Sequence, residues 1–283
     1  MKLIQPVQQH EALLADIADA QPGEGVCVWW LGQSGFLVKC EQGQVLFDPY
    51  LSDSLTKKYA ETDKPHTRMT ELAIRPGELR GIDVVTSTHN HTDHLDAETL
   101  QPLISTNPDI ALVIPEANRE FVAKRLDCPL DWPVGISDGE SVTLNKIIVN
   151  AIPAAHNEID RDDQGRCKYL GYVLQLGNTS IYHSGDTLLY SGMAEQLGKF
   201  DIDLAILPIN GIRSERCVSG NLFGDEAAQL AHQISARLVV PCHYDMFTFN
   251  TEPPTLFVKS CQRLGQSHRV LRCGERLDLT EKA

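Results

Sequence analysis

The chain has 283 residues, 42% hydrophobic and 22% charged, a balance that suits a folded globular protein and excludes a disordered one. Lys and Arg number 25 against 38 Asp and Glu, so the formal net charge is −13. That acidity argues against nucleic acid as a partner, because the outer field repels a polyanion.

The eight cysteines, at 27, 40, 128, 167, 217, 242, 261 and 273, form no CxxC pair and share no spacing. They read as isolated thiols in a reducing compartment rather than as a disulfide scaffold. The N-terminal segment is polar where a signal peptide would be apolar, and no run approaches ~18 apolar residues. The expectation is a cytoplasmic protein with no membrane span.

In chain order, residues 8–20 predict a short amphipathic helix with Leu13, Leu14, Ile17 and Ala18 on one side, ended by Pro22-Gly23. This divides the chain into an N-terminal helical extension (1–22) and a main domain (23–283). Three β-type runs follow at 26–31, 36–40 and 45–47, with glycines in the turns. Residues 52–80 are polar and read as a long loop, a length that is usually functional or mobile in a compact domain. Beyond residue 82 the texture is α/β. Strands are expected at 82–86, 111–114, 142–144, 147–152, 171–176, 179–183, 204–207 and 238–240. Helices are expected at 96–106, 116–126, 189–198, 225–236 and 254–264. The alternation has no repeat and no clean linker, which suggests one layered α/β domain.

The strongest chemical signal is Thr88-His89-Asn90-His91-Thr92-Asp93-His94-Leu95-Asp96, directly after an apolar strand run. Imidazole and carboxylate groups ligate zinc-like divalent ions. Four such groups crowd a single tetrahedral site, so a metal pair is the more natural reading, with His89 and His91 on one ion and Asp93 and His94 on the other. Further ligand candidates follow three other apolar runs: His156, Asp186 and His243. Each stands at a strand's C-terminal end, where α/β sheets place their sites.

The ordered set His89-x-His91-x-Asp93-His94, His156, Ser184-Gly185-Asp186 and His243 resembles the metallo-β-lactamase superfamily. Trp29-Trp30-Leu31-Gly32 with Gly35, Tyr182-His183-Ser184-Gly185-Asp186 and Val239-Val240-Pro241-x-His243-x-Asp245 resemble its L-ascorbate-6-phosphate lactonase group. The resemblance implies a four-layer αββα sandwich with two divalent metal ions at one edge of the sheets, zinc or manganese ahead of iron. It assigns His89, His91 and His156 to the first ion and Asp93, His94 and His243 to the second, with Asp186 bridging.

Metal coordination lowers the pKa of water from 15.7 to about 7, so hydroxide becomes available near neutrality. The expected function is therefore a metal-dependent hydrolase using a metal-bound hydroxide on a small lactone or ester, anionic ones included. Asp93 is the candidate catalytic residue, orienting the nucleophile and relaying its proton. Asp48, Asp96 and His183 are candidates to support the ligands, since a metal-bound histidine commonly gives its second N–H to a carboxylate. Arg213 and Tyr244 are candidates for substrate contact. Lys57 and Lys58 read as solvated surface, and His10, His66, His232 and His268 as structural or exposed. The alternatives are a phosphodiesterase or nuclease using the same dinuclear site, or a metal-binding sensor without catalysis. The expected partner is a small molecule, and homo-oligomerisation stays open.

Overall fold

The computed structural model describes residues 2–23, 25–216 and 220–280. One sheet runs in the order β13-β1-β2-β3-β4-β5-β6. Its strands are β1 (Val26–Gly32), β2 (Gly35–Cys40), β3 (Gly43–Phe47), β4 (Val84–Thr86), β5 (Ala111–Pro115), β6 (Val134–Ile136) and β13 (Arg276–Leu279). The other runs β12-β11-β10-β9-β8-β7. It is built from β7 (Ser141–Leu144), β8 (Ile147–Pro153), β9 (Leu170–Leu176), β10 (Thr179–His183), β11 (Leu204–Pro208) and β12 (Leu238–Cys242).

The two-residue period of a strand explains why the sheets must be layered. Along β1, Val26, Val28 and Trp30 enter the core between the sheets, while Cys27, Trp29 and Leu31 enter a second core on the opposite face. A strand that buries both faces needs cover on both sides. The outer cover of the first sheet is α1 (His10–Asp19), α3 (Ala97–Thr106) and α4 (Arg119–Leu126), through Leu13, Leu100, Leu103 and Val122. The second sheet is covered by α5 (Met193–Leu197), α6 (Gly224–Gln233) and α7 (Thr255–Leu264), through Leu197, Ala227, Leu230 and Phe257. The result is the expected αββα sandwich.

Two expectations change, and one strand is new. Helix α1 is not an appendage: Leu13 is fully buried, Trp29 Nε1 donates to Asp16 Oδ2 at 2.7 Å, and Lys39 Nζ donates to the Ile17 carbonyl at 2.7 Å. Residues 2–22 are thus continuous with the domain, although Ala18 faces solvent. The 52–80 segment is not plain loop, since it carries α2 (Ser54–Lys58) and a 3-10 turn at Pro76–Glu78. Strand β6 went unseen because three residues give no readable alternation.

The seven described cysteines are free thiols, and Cys217 lies outside the described residues. Among the described residues no helix is long and apolar enough to cross a membrane.

Strand direction gathers the chemistry at one edge. β3 and β4 are parallel, and β10, β11 and β12 are parallel. β1 pairs antiparallel with β2 and β2 with β3; likewise β8 pairs antiparallel with β9 and β9 with β10. The C-terminal ends of β1, β3 and β4 therefore share one edge of the first sheet, and those of β8, β10 and β12 share one edge of the second.

Candidate metal centre

The loop after β4 carries His89, His91, Asp93 and His94; the loops after β8, β10 and β12 carry His156, Asp186 and His243. Their ligand atoms converge in three overlapping groups: His89/His91/His156, His89/His94/Asp186 and Asp93/His94/His243, each with atoms within 4.8 Å of one another. Asp186 touches both halves. Its Oδ1 is 3.3 Å from His94 Nε2, and its Oδ2 is 3.8 Å from His156 Nε2 and 3.5 Å from His243 Nε2. All seven expected ligands are brought together.

The backbone at this edge is held in the left-handed region at residues other than glycine: Gln33, Asp48, Asn157, His243 and Asp245 have φ between 35° and 86°. Such conformations cost about 1–3 kcal/mol each and persist where the surroundings impose them. Here they turn the chain sharply at strand ends, so that His243 and Asp48 point into the centre.

Hydrogen bonds fix the histidine tautomers. The Gly220 carbonyl, 3.0 Å from His156 Nδ1, can only accept, so the proton sits on Nδ1 and Nε2 keeps its lone pair. Asp48 does the same for His94, with Oδ2 2.7 Å from Nδ1. Asp48 is itself held by Thr86 Oγ1 at 3.0 Å, the Thr88 amide at 3.1 Å and the Thr88 hydroxyl.

A divalent ion fits this donor set. His89 Nε2 is buried and has no hydrogen-bond partner, and His94 Nε2 and Asp186 Oδ1, buried 3.3 Å apart, have none beyond each other. Buried polar atoms without partners are costly unless something else satisfies them. Burial holds His89, His91 and His156 neutral, with His156 pushed down to about 4, so their lone pairs are available at neutral pH. Burial opposes charge on Asp93 and Asp186 too, yet His94 and His243 outweigh it and hold both carboxyls well below the ordinary range. The same attraction lifts His243 to about 9 against its burial. An ion bound in that half would therefore displace protons from His94 and His243.

Comparison with known proteins agrees with this chemistry. A family described as "Beta-lactamase superfamily domain" matches residues 44–244. The chain belongs to the metallo-β-lactamase superfamily. A UPF0173 metal-dependent hydrolase of Caldivirga maquilingensis is 29% identical over 260 residues, covering 89% of this chain and 98% of the relative. Among solved structures, a possible metal-dependent hydrolase of Veillonella parvula has a TM-score of 0.70 at 16% identity, covering 91% of this chain and all of the other. A metallo hydrolase of Ignicoccus hospitalis has a TM-score of 0.66 at 21% identity, with the same coverage. These matches support a metal-dependent hydrolase of this fold and do not single out the lactonase group.

As a metallo-β-lactamase-fold protein, the chain uses its other expected site residues unevenly. Asp48 stands behind the candidate ligand His94, on its Nδ1. Asp96 does not: its Oδ2 accepts from Ser52 and Thr99 hydroxyls, both at 2.6 Å, which secures the start of α3. His183 is fully buried and stacks on Phe47; it bonds the Ser34 carbonyl at 2.9 Å and accepts from the Gly185 amide at 3.2 Å, touching no ligand directly. Arg213 turns away to Glu252, with Nε 2.5 Å from Oε1. Tyr244 is buried against Trp30 with its hydroxyl on the Leu271 carbonyl, so it cannot reach a substrate.

Above the ligands lies a cavity of about 400 Å³, a size suited to a small molecule. One wall is aromatic: His66 stacks on Tyr59 at 4.3 Å and meets Phe249 edge-on at 4.5 Å and Phe247 at 5.1 Å. Lys58 and Arg125 also line it. Lys58 and His66, read from the sequence as solvated surface and as structural or exposed, instead line the cavity; Arg125 stands in no motif, and Gln33, inside the Trp29–Gly35 motif, was given no role. Gln33 Nε2 lies 2.8 Å from Asp93 Oδ2 and 2.9 Å from His243 Nε2; its place in the tight β1–β2 turn was the one available signal.

Proposed function

We propose that the chain hydrolyses a small lactone or ester with the help of two divalent ions, zinc or manganese. The observation that carries this reading is the convergence of seven candidate ligands in two groups joined by Asp186, beneath a cavity of small-molecule size. His89, His91 and His156 would hold one ion, Asp93, His94 and His243 the other, and Asp186 both. When bound, such ions supply Lewis acidity and bring the pKa of water from 15.7 to about 7.

The protein's own residues orient and move protons. Gln33 donates to Asp93 Oδ2, which fixes that carboxylate and leaves Oδ1 to take the proton of the attacking water. Asp93 thereby acts as general base as well as ligand. The aromatic wall of Tyr59, His66, Phe247 and Phe249 limits water on one side and receives the apolar part of the substrate.

The test is a panel of lactones, carboxylic esters and phosphodiesters offered to protein loaded with zinc or manganese, beside Asp93→Asn. Lactone or ester turnover, lost in Asp93→Asn far beyond any loss of metal, supports the reading. Turnover of phosphodiesters alone replaces it with a phosphodiesterase, and full activity in Asp93→Asn removes the base role.

A further inference from the structure

We infer that Arg125 and Lys58 form an anion-recognition subsite in the cavity over the metal centre, so that the substrate carries a carboxylate or phosphate group. This rests on the hydrolytic reading above and names what that site selects. In a chain with 13 more acids than bases, arginines normally find carboxylates. Arg119, Arg161, Arg166, Arg213 and Arg276 each pair with one within 3.3 Å. Arg125 has no carboxylate within ion-pair distance among the described residues, although it is half-buried and lines the cavity.

Its guanidinium is nonetheless fixed. Nη1 donates to the Asn90 carbonyl at 2.6 Å and the Leu95 carbonyl at 3.1 Å, and the Phe121 ring lies 4.3 Å beneath it. Asn90 stands between the ligands His89 and His91, so the guanidinium is anchored to the metal-binding loop itself. The edge formed by Nε and Nη2 makes no hydrogen bond to the described residues. That edge is the one that pairs a carboxylate or phosphate through two parallel bonds.

Lys58 makes the same contrast with its neighbour. Lys57 pairs with Glu98 at 2.7 Å and does not line the cavity. Lys58 lines the cavity, rests 5.0 Å over the Tyr59 ring and has no acidic partner among the described residues. The acids that line the cavity, Asp93 and Asp186, are both metal-ligand candidates. Two divalent ions would therefore leave the cavity strongly positive inside an acidic protein. Such a field draws a small anion through an outer surface that repels long ones.

The experiment compares two esters with one leaving group, neutral 4-nitrophenyl acetate and anionic mono-4-nitrophenyl succinate. They are offered to zinc-loaded wild type, Arg125→Gln, Lys58→Gln and the control Lys57→Gln, with metal content measured in each. The expected wild-type kcat/KM favours the succinate. That preference falls roughly tenfold in Arg125→Gln, the scale of a lost charge-assisted hydrogen bond, falls also in Lys58→Gln, and persists in Lys57→Gln. No preference in wild type, or an unchanged one in both cavity variants, overturns the subsite. If neither ester is cleaved, the hydrolytic reading suffers and the subsite is read by calorimetric titration with succinate. Weaker binding in both cavity variants than in wild type and Lys57→Gln upholds it, and equal binding in all four overturns it. Lys58 is exposed, so its variant keeps the test decisive even if Arg125→Gln disturbs the Asn90 loop.

Discussion

Asp48 Oδ2 lies 2.7 Å from His94 Nδ1, and both side chains are fully buried. A carboxylate in that position fixes the imidazole tautomer and would keep Nε2 directed at a bound ion with raised basicity. Asp48→Asn replaces an acceptor with a group that can present N–H to N–H. The expected outcome is a loss of about 10–100-fold in affinity at the half of the centre built on His94. Titrating apo-protein with zinc, followed by metal analysis, checks it: Asp48→Asn should retain the ion on His89, His91 and His156 and bind the other weakly. Two equally tight ions in the variant would show that Asp48 serves the fold alone.

Gly185 links the same network to Asp186. Its φ is +60°, and a Cβ built there would stand 2.7 Å from Thr88 Cβ. Thr88 holds Asp48 through both its amide and its hydroxyl. Gly185→Ala therefore combines backbone strain with a push on the residue that orients Asp48. We expect a stability loss of about 1–3 kcal/mol and a lower zinc content than wild type, read by denaturant unfolding and metal analysis. Wild-type values on both measures would contradict the close packing.

These two residues also show what a linear sequence can and cannot carry. Apart from β6, the strands and the seven candidate ligands were readable because apolar runs end at fixed points and histidines or aspartates follow them. Asp48 was readable for the same reason, as it follows the run of β3. Asp96 shares its chemistry and lies nearer the ligands in sequence, yet it turns to Ser52 and Thr99. Direction at a loop residue depends on partners from elsewhere in the chain. Arg125 was given no role, and His66 was read as structural or exposed, for a related reason: each gains meaning only when distant segments close over the metal edge.

Metal binding should stabilise the fold, because the ligand set exists only when four loops from two sheets are assembled. A ligand that binds only the folded state adds about 2.7 kcal/mol at a hundredfold excess over its Kd. Chelation of zinc-loaded protein should therefore lower Tm, and added zinc should restore it. His89→Ala should show a reduced response, and a Tm indifferent to chelator in wild type would exclude coupling between metal and fold.

His183 makes stability depend on pH with a definite sign. Its Nε2–H donates to the Ser34 carbonyl and its Nδ1 accepts from the Gly185 amide, which requires the neutral ring. Burial lowers its pKa from 6.5, outweighing the attraction of Asp48 and Asp186, while nearby His94 acts with burial. Below pH 6.5 the unfolded chain therefore binds a proton that the folded chain refuses. Stability falls as pH drops through that window, by up to about 1.4 kcal/mol per unit, until the folded pKa is reached. Denaturant unfolding of wild type and His183→Gln between pH 8 and 5.5 isolates this contribution. The variant should lose less stability below pH 6.5, and identical pH slopes would show that the ring is not held neutral.

Helix α1 provides the last test, because its place in the molecule differs from the one its sequence suggests. Leu13 is fully buried and shares the outer core with Trp29, Leu31 and Leu37, whereas Leu14, on the same predicted apolar side, is only partly buried. Deleting a buried leucine side chain costs about 2–5 kcal/mol through lost transfer energy and the cavity left behind. Leu13→Ala should lose that much in denaturant unfolding, and Leu14→Ala clearly less. Because α1 covers the sheet face opposite the one that packs on the second sheet, Leu13→Ala should leave zinc stoichiometry unchanged under conditions where it is folded. A negligible cost at Leu13 would return residues 1–22 to the status of an appendage; a full cost with intact metal binding makes the helix a structural part of the domain, remote from its chemistry.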